Sequence, residues 1–249
     1  MFTKLASQDG LGFMGKCVLV IGGSGEIGQA ILRDLLRRGE HVVATYNRRA
    51  IPAEKNLVTR CVDVRSMESL RNLADYIHAE GYSVSKIVYN TGITRDVLMH
   101  AMEESDLEDI ANVNLFGFFR VCKTFLQDVS VNRGSVVSIS SIAALIGSKG
   151  QANYACSKAA LIALTRNLAS EYARLGVRAN CVIPGWIEST MTESFSPEKK
   201  EAICQLIPLR RFGKPEDVSA VVDFLLSDRS SYLTGQSIVV DGGVTSLRT

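Results

Sequence analysis

Proline is scarce in this sequence, five in 249 residues, and Pro184, Pro197, Pro208 and Pro215 all fall in its last third. With no internal repeat and no low-complexity tract, nothing marks a linker, and one domain over residues 1–249 is expected. Histidine is scarcer still: His41, His78 and His100 stand far apart, without the close ligand spacing of a zinc site, so no metal site is expected. Long hydrophobic runs are missing; none approaches the roughly 18 residues a membrane helix needs, so no membrane contact is expected. Met1 to Gly15 reads as an N-terminal extension without the apolar core and small-residue cleavage site of a secretory signal. Charge of one sign is lacking too. The 28 basic and 26 acidic residues leave a formal charge of +2, with no basic face to track phosphates, which argues against nucleic acid. Finally, no Cys-x-x-Cys pair occurs. The cysteines at 17, 61, 122, 156, 181 and 204 sit mostly in apolar runs and read as small buried hydrophobes in a reducing compartment, which points to the cytoplasm.

What is present is an alternation of short β-branched runs with longer stretches of helical period, the pattern of a parallel sheet covered by helices on both faces. Seven strands are expected: Cys17–Ile21, His41–Thr45, Leu57–Cys61, Lys86–Tyr89, Ser135–Ser140, Arg178–Ile183 and Ser237–Val240. Helical segments lie near Ile27–Arg38, Met67–Ala79, Glu103–Val129, Ala152–Leu175 and Pro215–Leu226. After the sixth strand the rhythm is broken by prolines, so about 185–211 is expected to be a mobile, substrate-covering segment.

The first strand runs into Gly22-Gly23-Ser24-Gly25-Glu26-Ile27-Gly28 and then into an amphipathic helix. Glycines let a backbone turn tightly and approach a pyrophosphate, and the helix N-terminus offers free N–H groups and a positive dipole end. The same turn would also serve as a plain strand-to-helix connection. The second strand is followed by Tyr46-Asn47-Arg48-Arg49, without the acidic residue that accepts from a ribose 2′-hydroxyl. Arg48 and Arg49 can face a 2′-phosphate, favouring NADPH over NADH, or can be solvated loop charges.

Tyr154-Ala155-Cys156-Ser157-Lys158 places a phenol and an ammonium at i and i+4 of a helix, on one face. A neighbouring ammonium is expected to lower the tyrosine pKa and equip Tyr154 to protonate a carbonyl oxygen. Such a pair is common by chance, but Ser141, at the end of the fifth strand, lies at the sheet edge where open α/β folds bind ligands. Ser141 can polarise that same carbonyl, or act as a turn serine.

With these residues the chain resembles the short-chain dehydrogenase/reductase family from Lys16 to Gly243. The glycine loop comes first and Asp63-Val64 second, resembling an adenine contact. Asn90-Thr91-Gly92 ends the fourth strand, with Tyr89 where the family usually has asparagine. Asn114, in Val113-Asn114-Leu115-Phe116-Gly117, matches the residue that holds a proton-relay water. Ser141, Tyr154 and Lys158 join Pro184-Gly185-Trp186-Ile187-Glu188-Ser189, a loop that embraces the nicotinamide carboxamide. The resemblance implies a Rossmann-type, doubly wound, seven-stranded α/β fold. It also implies a catalytic set of Asn114, Ser141, Tyr154 and Lys158. The cofactor-binding set is Gly22, Ser24, Gly25, Glu26, Ile27, Gly28, Asn47, Arg48, Asp63, Val64, Asn90, Gly92, Tyr154, Lys158, Pro184, Gly185, Ile187 and Ser189.

Gly92-Ile93-Thr94-Arg95-Asp96, Gly150 to Tyr154 and Tyr232 to Gly243 are most similar to 3-oxoacyl-[acyl-carrier-protein] reductases. That implies NADPH-dependent reduction of a 3-oxoacyl thioester on acyl carrier protein or coenzyme A, and a homotetramer built on the long helices and the last strand. Arg133, Arg166, Arg174 and Arg178 are candidates for docking an acidic carrier. Two alternatives stand beside this reading: a free-alcohol dehydrogenase using NAD, disfavoured by the missing acid, and a non-catalytic reductase-like subunit, for which Glu26, where the family has glycine, is the sequence support.

Overall fold

In a computed structural model the chain is described over residues 15–246; the N-terminal extension, apart from Gly15, lies outside the described residues. Strand β1 (Gly15–Ile21) buries every residue from Cys17 to Ile21, as a strand covered on both faces must. It pairs in parallel with β2 (Val42–Tyr46) on one side and β4 (Tyr82–Tyr89) on the other. Adding β3 (Leu57–Cys61), β5 (Ser135–Ile139), β6 (Arg178–Pro184) and β7 (Ser237–Val240) gives one parallel sheet of seven strands in the order β3-β2-β1-β4-β5-β6-β7. The order reverses between β1 and β4, so the crevice beyond their carboxyl ends is the switch point at which such sheets bind ligands.

One face of the sheet is covered by α1 (Glu26–Arg37) and α9 (Pro215–Leu226), whose Ile31, Leu35, Val218 and Val222 pack on Val18, Val20 and Val182. The other carries α2 (Met67–Ala79), α4 (Phe116–Val131) and α6 (Ala152–Tyr172), with Leu70, Phe118, Phe125, Leu161 and Leu168 against Leu19, Ile87 and Val136.

The helix expected over Glu103–Val129 is two helices, α3 (Glu104–Asn114) and α4, broken at Leu115. The carbonyl of Val113, which in a continuous helix would face the N–H of Gly117, instead accepts the Tyr89 hydroxyl at 2.5 Å. Gly117 leaves room for that phenol: a Cβ there would sit 2.3 Å from Tyr89 Oη. Burial holds the Tyr89 phenol far above its usual pKa, so it stays a donor. The expected helix Ala152–Leu175 is α-helical to Tyr172 and closes with a 3-10 turn, Ala173–Leu175.

Segment 185–211 contains α7 (Thr190–Glu193) and α8 (Pro197–Leu206). Ser196 accepts from the N–H of Lys199 at 3.3 Å and Pro197 takes the first helical position, a start signal that proline favours. A small third core, with Ile203 and Ile207 against Ile142, Ile162 and Ile183, fastens this segment to the sheet, and Trp186 meets Phe195 and Phe212 edge-on. The cysteines depart from expectation: Cys17, Cys122 and Cys181 are buried, but Cys61 and Cys156 are exposed and Cys204 is half-buried.

Candidate active site

The glycine loop and the turn after β4 are tied together across the switch point. Gly22 has φ +85°, and a Cβ on it would lie 2.6 Å from the N of Thr91. The Asn90 amide donates to the Gly22 carbonyl at 2.8 Å, and the N–H groups of Asn90 and Thr91 both reach the Ile21 carbonyl. At Gly28 a Cβ would stand 2.4 Å from the Gly22 carbonyl oxygen, so only glycine lets α1 start this close under the loop. Gly25, by contrast, has open space in front of it.

On the far side of β4, α6 presents Tyr154 and Lys158 to the end of β5. Asn153, fully buried, donates to the carbonyls of Arg95 and Asp106 and accepts the N–H of Tyr154 at 2.7 Å, fixing the first turn of α6. Lys158 is 3% exposed, its Nζ donates to the Ile139 carbonyl at 2.8 Å, and its own carbonyl accepts Ser140 Oγ. Gly92 lies against it: a Cβ there would be 3.0 Å from Lys158 Nζ. Ser141 Oγ accepts the N–H of Ala143 at the start of α5 (Ala143–Ile146), leaving its own proton to donate.

These elements enclose a cleft of about 500 Å³, lined among others by Gly25, Glu26, Ile27, Asn90, Gly92, Ser141, Tyr154, Lys158, Pro184, Gly185, Ile187 and Ser189. Gly22, Ser24 and Gly28 shape the loop behind it, and Asn47, Arg48, Asp63 and Val64 stand beyond the ends of β2 and β3, outside its lining. Asn47, Arg48 and Arg49 are exposed. Asp63 is held by a bidentate pair with Arg65, which keeps its carboxyl below the usual range. The Val64 side chain belongs to the core.

Three individual groups make contacts that the sequence did not suggest. The Lys158 ammonium does not lower the Tyr154 pKa: its Nζ is turned to Ile139 and lies 5.7 Å from the phenol ring centre. Burial pushes the phenol up, with the Ser141 hydroxyl opposing more weakly and Asp96 adding to the rise. Lys158, buried with no carboxylate beside it, is brought down to about 8. Second, both amide protons of Asn114 are already committed, to the Ile93 carbonyl and Ser157 Oγ, and its Oδ1 accepts from Ile93 N. The side chain therefore clamps the Gly92–Ile93 turn. Third, Arg178 donates to the carbonyls of Leu225 and Ser227 and to Ser230 Oγ, closing the end of α9. Arg133 and Arg178 border the starts of β5 and β6, at the sheet edge opposite the cleft, and Arg174 stands about 30 Å along α6 from Tyr154.

The residues missed by sequence reasoning are Asn153, Tyr89 and Thr190. Thr190 joins Glu26 through its N–H at 3.1 Å and through its hydroxyl. Among the described residues no group of three or more His, Cys, Asp or Glu side chains gathers as a metal site would, and no helix is long and apolar enough to cross a membrane.

Comparison with known proteins adds the following. The family described as enoyl-(acyl carrier protein) reductase matches residues 23–245. A 3-oxoacyl-[acyl-carrier-protein] reductase FabG of Rickettsia conorii is 38% identical over 237 residues, 92% of this chain and 97% of that protein. The FabG proteins of Thermotoga maritima and Salmonella typhimurium are 37% and 36% identical over 92% and 94% of this chain, and 98% and 99% of their own. The crystal structure of Cj0485 dehydrogenase superimposes with a TM-score of 0.88 at 25% identity, over 95% of this chain and 96% of that one.

Proposed function

The chain belongs to the short-chain dehydrogenase/reductase family, a nicotinamide-dependent oxidoreductase family, and from that premise we propose that it reduces a 3-oxoacyl thioester to the 3-hydroxyacyl thioester with NADPH. The observation that carries this is the convergence of Ser141, Tyr154 and Lys158 on one cleft beside Gly92, at the sheet's switch point.

A dinucleotide fits the residues present. Gly22 and Gly28 leave no space for a Cβ, so the backbone is drawn in under the N-terminus of α1, and Gly25 faces open space. Gly22, Ser24, Gly25, Ile27 and Gly28 would hold the pyrophosphate, Asp63 and Val64 the adenine, and Asn90, Gly92, Pro184, Gly185, Ile187 and Ser189 the nicotinamide half. Arg48 and Arg49, exposed and in no ion pair among the described residues, together with Asn47, would meet a ribose 2′-phosphate.

When bound, the reduced nicotinamide supplies a hydride from C4 to the β-carbonyl carbon. Tyr154 gives its phenolic proton to the oxygen, and its raised pKa keeps that proton available at neutral pH. The Ser141 hydroxyl, which accepts from Ala143 and faces the Tyr154 phenol, would hydrogen-bond the same oxygen and orient it. Lys158, whose Nζ is held by the Ile139 carbonyl, would hold the cofactor ribose. Asn114 holds the Gly92–Ile93 turn from beneath, which positions the floor of the cleft and the path for proton re-supply.

Within one chain Arg133 and Arg174 lie far from the mouth, so carrier docking through them would need a second copy of the chain; Arg166 is exposed on α6, and Lys149, exposed beside the cleft-lining Ser148, is a cation available in cis. The exposed Leu107, Phe116 and Phe119 on α3 and α4, and Val239 on edge strand β7, support assembly through those elements into a homotetramer. The cytoplasm remains the proposed location.

Initial rates of NADPH and, separately, NADH oxidation with acetoacetyl-coenzyme A and a 3-oxoacyl carrier protein test this reading. Turnover favouring NADPH with the carrier substrate is expected; absence of turnover and of cofactor binding would overturn it in favour of a non-catalytic subunit.

A further inference from the structure

Glu26 is the first residue of α1, the place where a phosphate is attracted by free N–H groups and the helix dipole. Its carboxylate does not point idly into solvent. Oε1 accepts the main-chain N–H of Thr190 at 3.1 Å and the Thr190 hydroxyl, a residue 164 positions away that opens α7 within segment 185–211. This bond runs directly from the glycine loop to that segment, and Glu26, Glu188 and Ser189 all line the same cleft. Ser189 and Thr192 cap α7 internally, and among the described residues Thr190 joins α7 to the loop.

A carboxylate and a pyrophosphate at one helix N-terminus repel each other, and both seek the same N–H groups. We propose that Glu26 is a positioning residue that ties segment 185–211 to the glycine loop in the cofactor-free protein, so that a dinucleotide must displace this tie to enter. The proposal rests on the dinucleotide reading above and deepens it: the free enzyme is held closed over its cofactor site, and apparent affinity is reduced by the fraction of molecules that stay tied.

The test combines hydrogen exchange on the cofactor-free protein with stopped-flow fluorescence of NADPH binding, in the parent and in Glu26→Ala, Glu26→Gln and Thr190→Val. Glu26→Ala is expected to speed exchange at the amides of residues 190–193 about tenfold and to raise the NADPH association rate by about tenfold. Thr190→Val, which keeps the N–H but loses the hydroxyl, is expected to reproduce part of both effects, and adding Glu26→Ala to it is expected to give no more than Glu26→Ala alone. Glu26→Gln keeps an acceptor for Thr190 without the charge; its exchange and its association rate are both expected to stay nearer the parent's than those of Glu26→Ala, a rescue by the conservative variant that charge repulsion alone would not produce. In steady state the KM for NADPH is expected to fall in Glu26→Ala, as release of an entry tie predicts. Unchanged exchange, or NADPH binding at the parent's rate in Glu26→Ala, overturns this proposal alone. Failure of the parent and every variant to bind NADPH or NADH overturns the dinucleotide reading and this proposal together.

Discussion

The β1–β3 side of the cleft and its β4–β6 side hold their candidate residues in opposite ways. Beyond β2, Asn47, Arg48 and Arg49 stand exposed on a loop. Beyond β4 and along α6, Asn114 and Asn153 are fully buried and Lys158 nearly so, each held by hydrogen bonds to main-chain carbonyls. Proton transfer needs donor and acceptor fixed to a fraction of an ångström, which burial and multiple bonds provide. Recognition of a phosphate by a cation acts over several ångströms and tolerates an exposed, flexible side chain. Departures from the family pattern occur on both sides, Glu26 and the loop after β2 on the first and Tyr89 on the second, but Asn114, Ser141, Tyr154 and Lys158 stand intact on the second.

Tyr154→Phe presses hardest on this contrast. It is expected to lower kcat/KM by roughly 10³ while leaving NADPH binding, followed by fluorescence, near the parent's; loss of binding as well would blur the division between the sides. Lys158→Met is expected to cost about 10² in turnover, yet to stabilise the cofactor-free protein at pH 7 by roughly 1–2 kcal/mol in urea unfolding, because a buried ammonium without a carboxylate partner is costly. The sign follows from burial bringing Lys158 down to about 8 from 10.5. The unfolded chain binds more protons between these values, so the parent's stability should gain from rising pH across that window, and Lys158→Met should remove this gain. A variant less stable than the parent at pH 7 would show that the bond to Ile139 outweighs the buried charge.

Asn153→Ala is expected to lose about 2–3 kcal/mol, since it removes the partner of the part-buried Arg95 carbonyl, the buried Asp106 carbonyl and the N–H of Tyr154; a loss under 0.5 kcal/mol would mean the α6 start is held by packing alone. The smallest effect belongs to the exposed side. Arg48→Ala with Arg49→Ala is expected to raise KM for NADPH about tenfold and leave that for NADH unchanged. Equal changes for both cofactors would place these arginines away from the 2′-phosphate.

Features set by local pattern were legible before the fold was known. The run Cys17–Ile21 into the glycines, and Tyr154 with Lys158 on one helical face, need only neighbours in sequence to be read. The break at Leu115 was not legible, because the group that draws off the Val113 carbonyl is Tyr89, 24 residues earlier. Asn153 was hidden in the same way, its partners lying 47 and 58 residues away. The helix α8 had a readable start in Ser196-Pro197, obscured by the expectation that a proline-broken stretch is loop. The Tyr154 pKa went the other way because helical spacing brings two side chains to one face but does not say where the longer one points.

The Tyr89 hydroxyl and the missing methyl at Gly117 act as a single steric unit. With 2.3 Å between that oxygen and any Cβ at 117, alanine cannot appear there while the phenol remains, and a smaller residue at 89 would leave the Val113 carbonyl to find another donor. The two positions are therefore sterically linked: while the phenol stands at 89 a side chain at 117 has no room, and filling 117 requires the phenol to move or go.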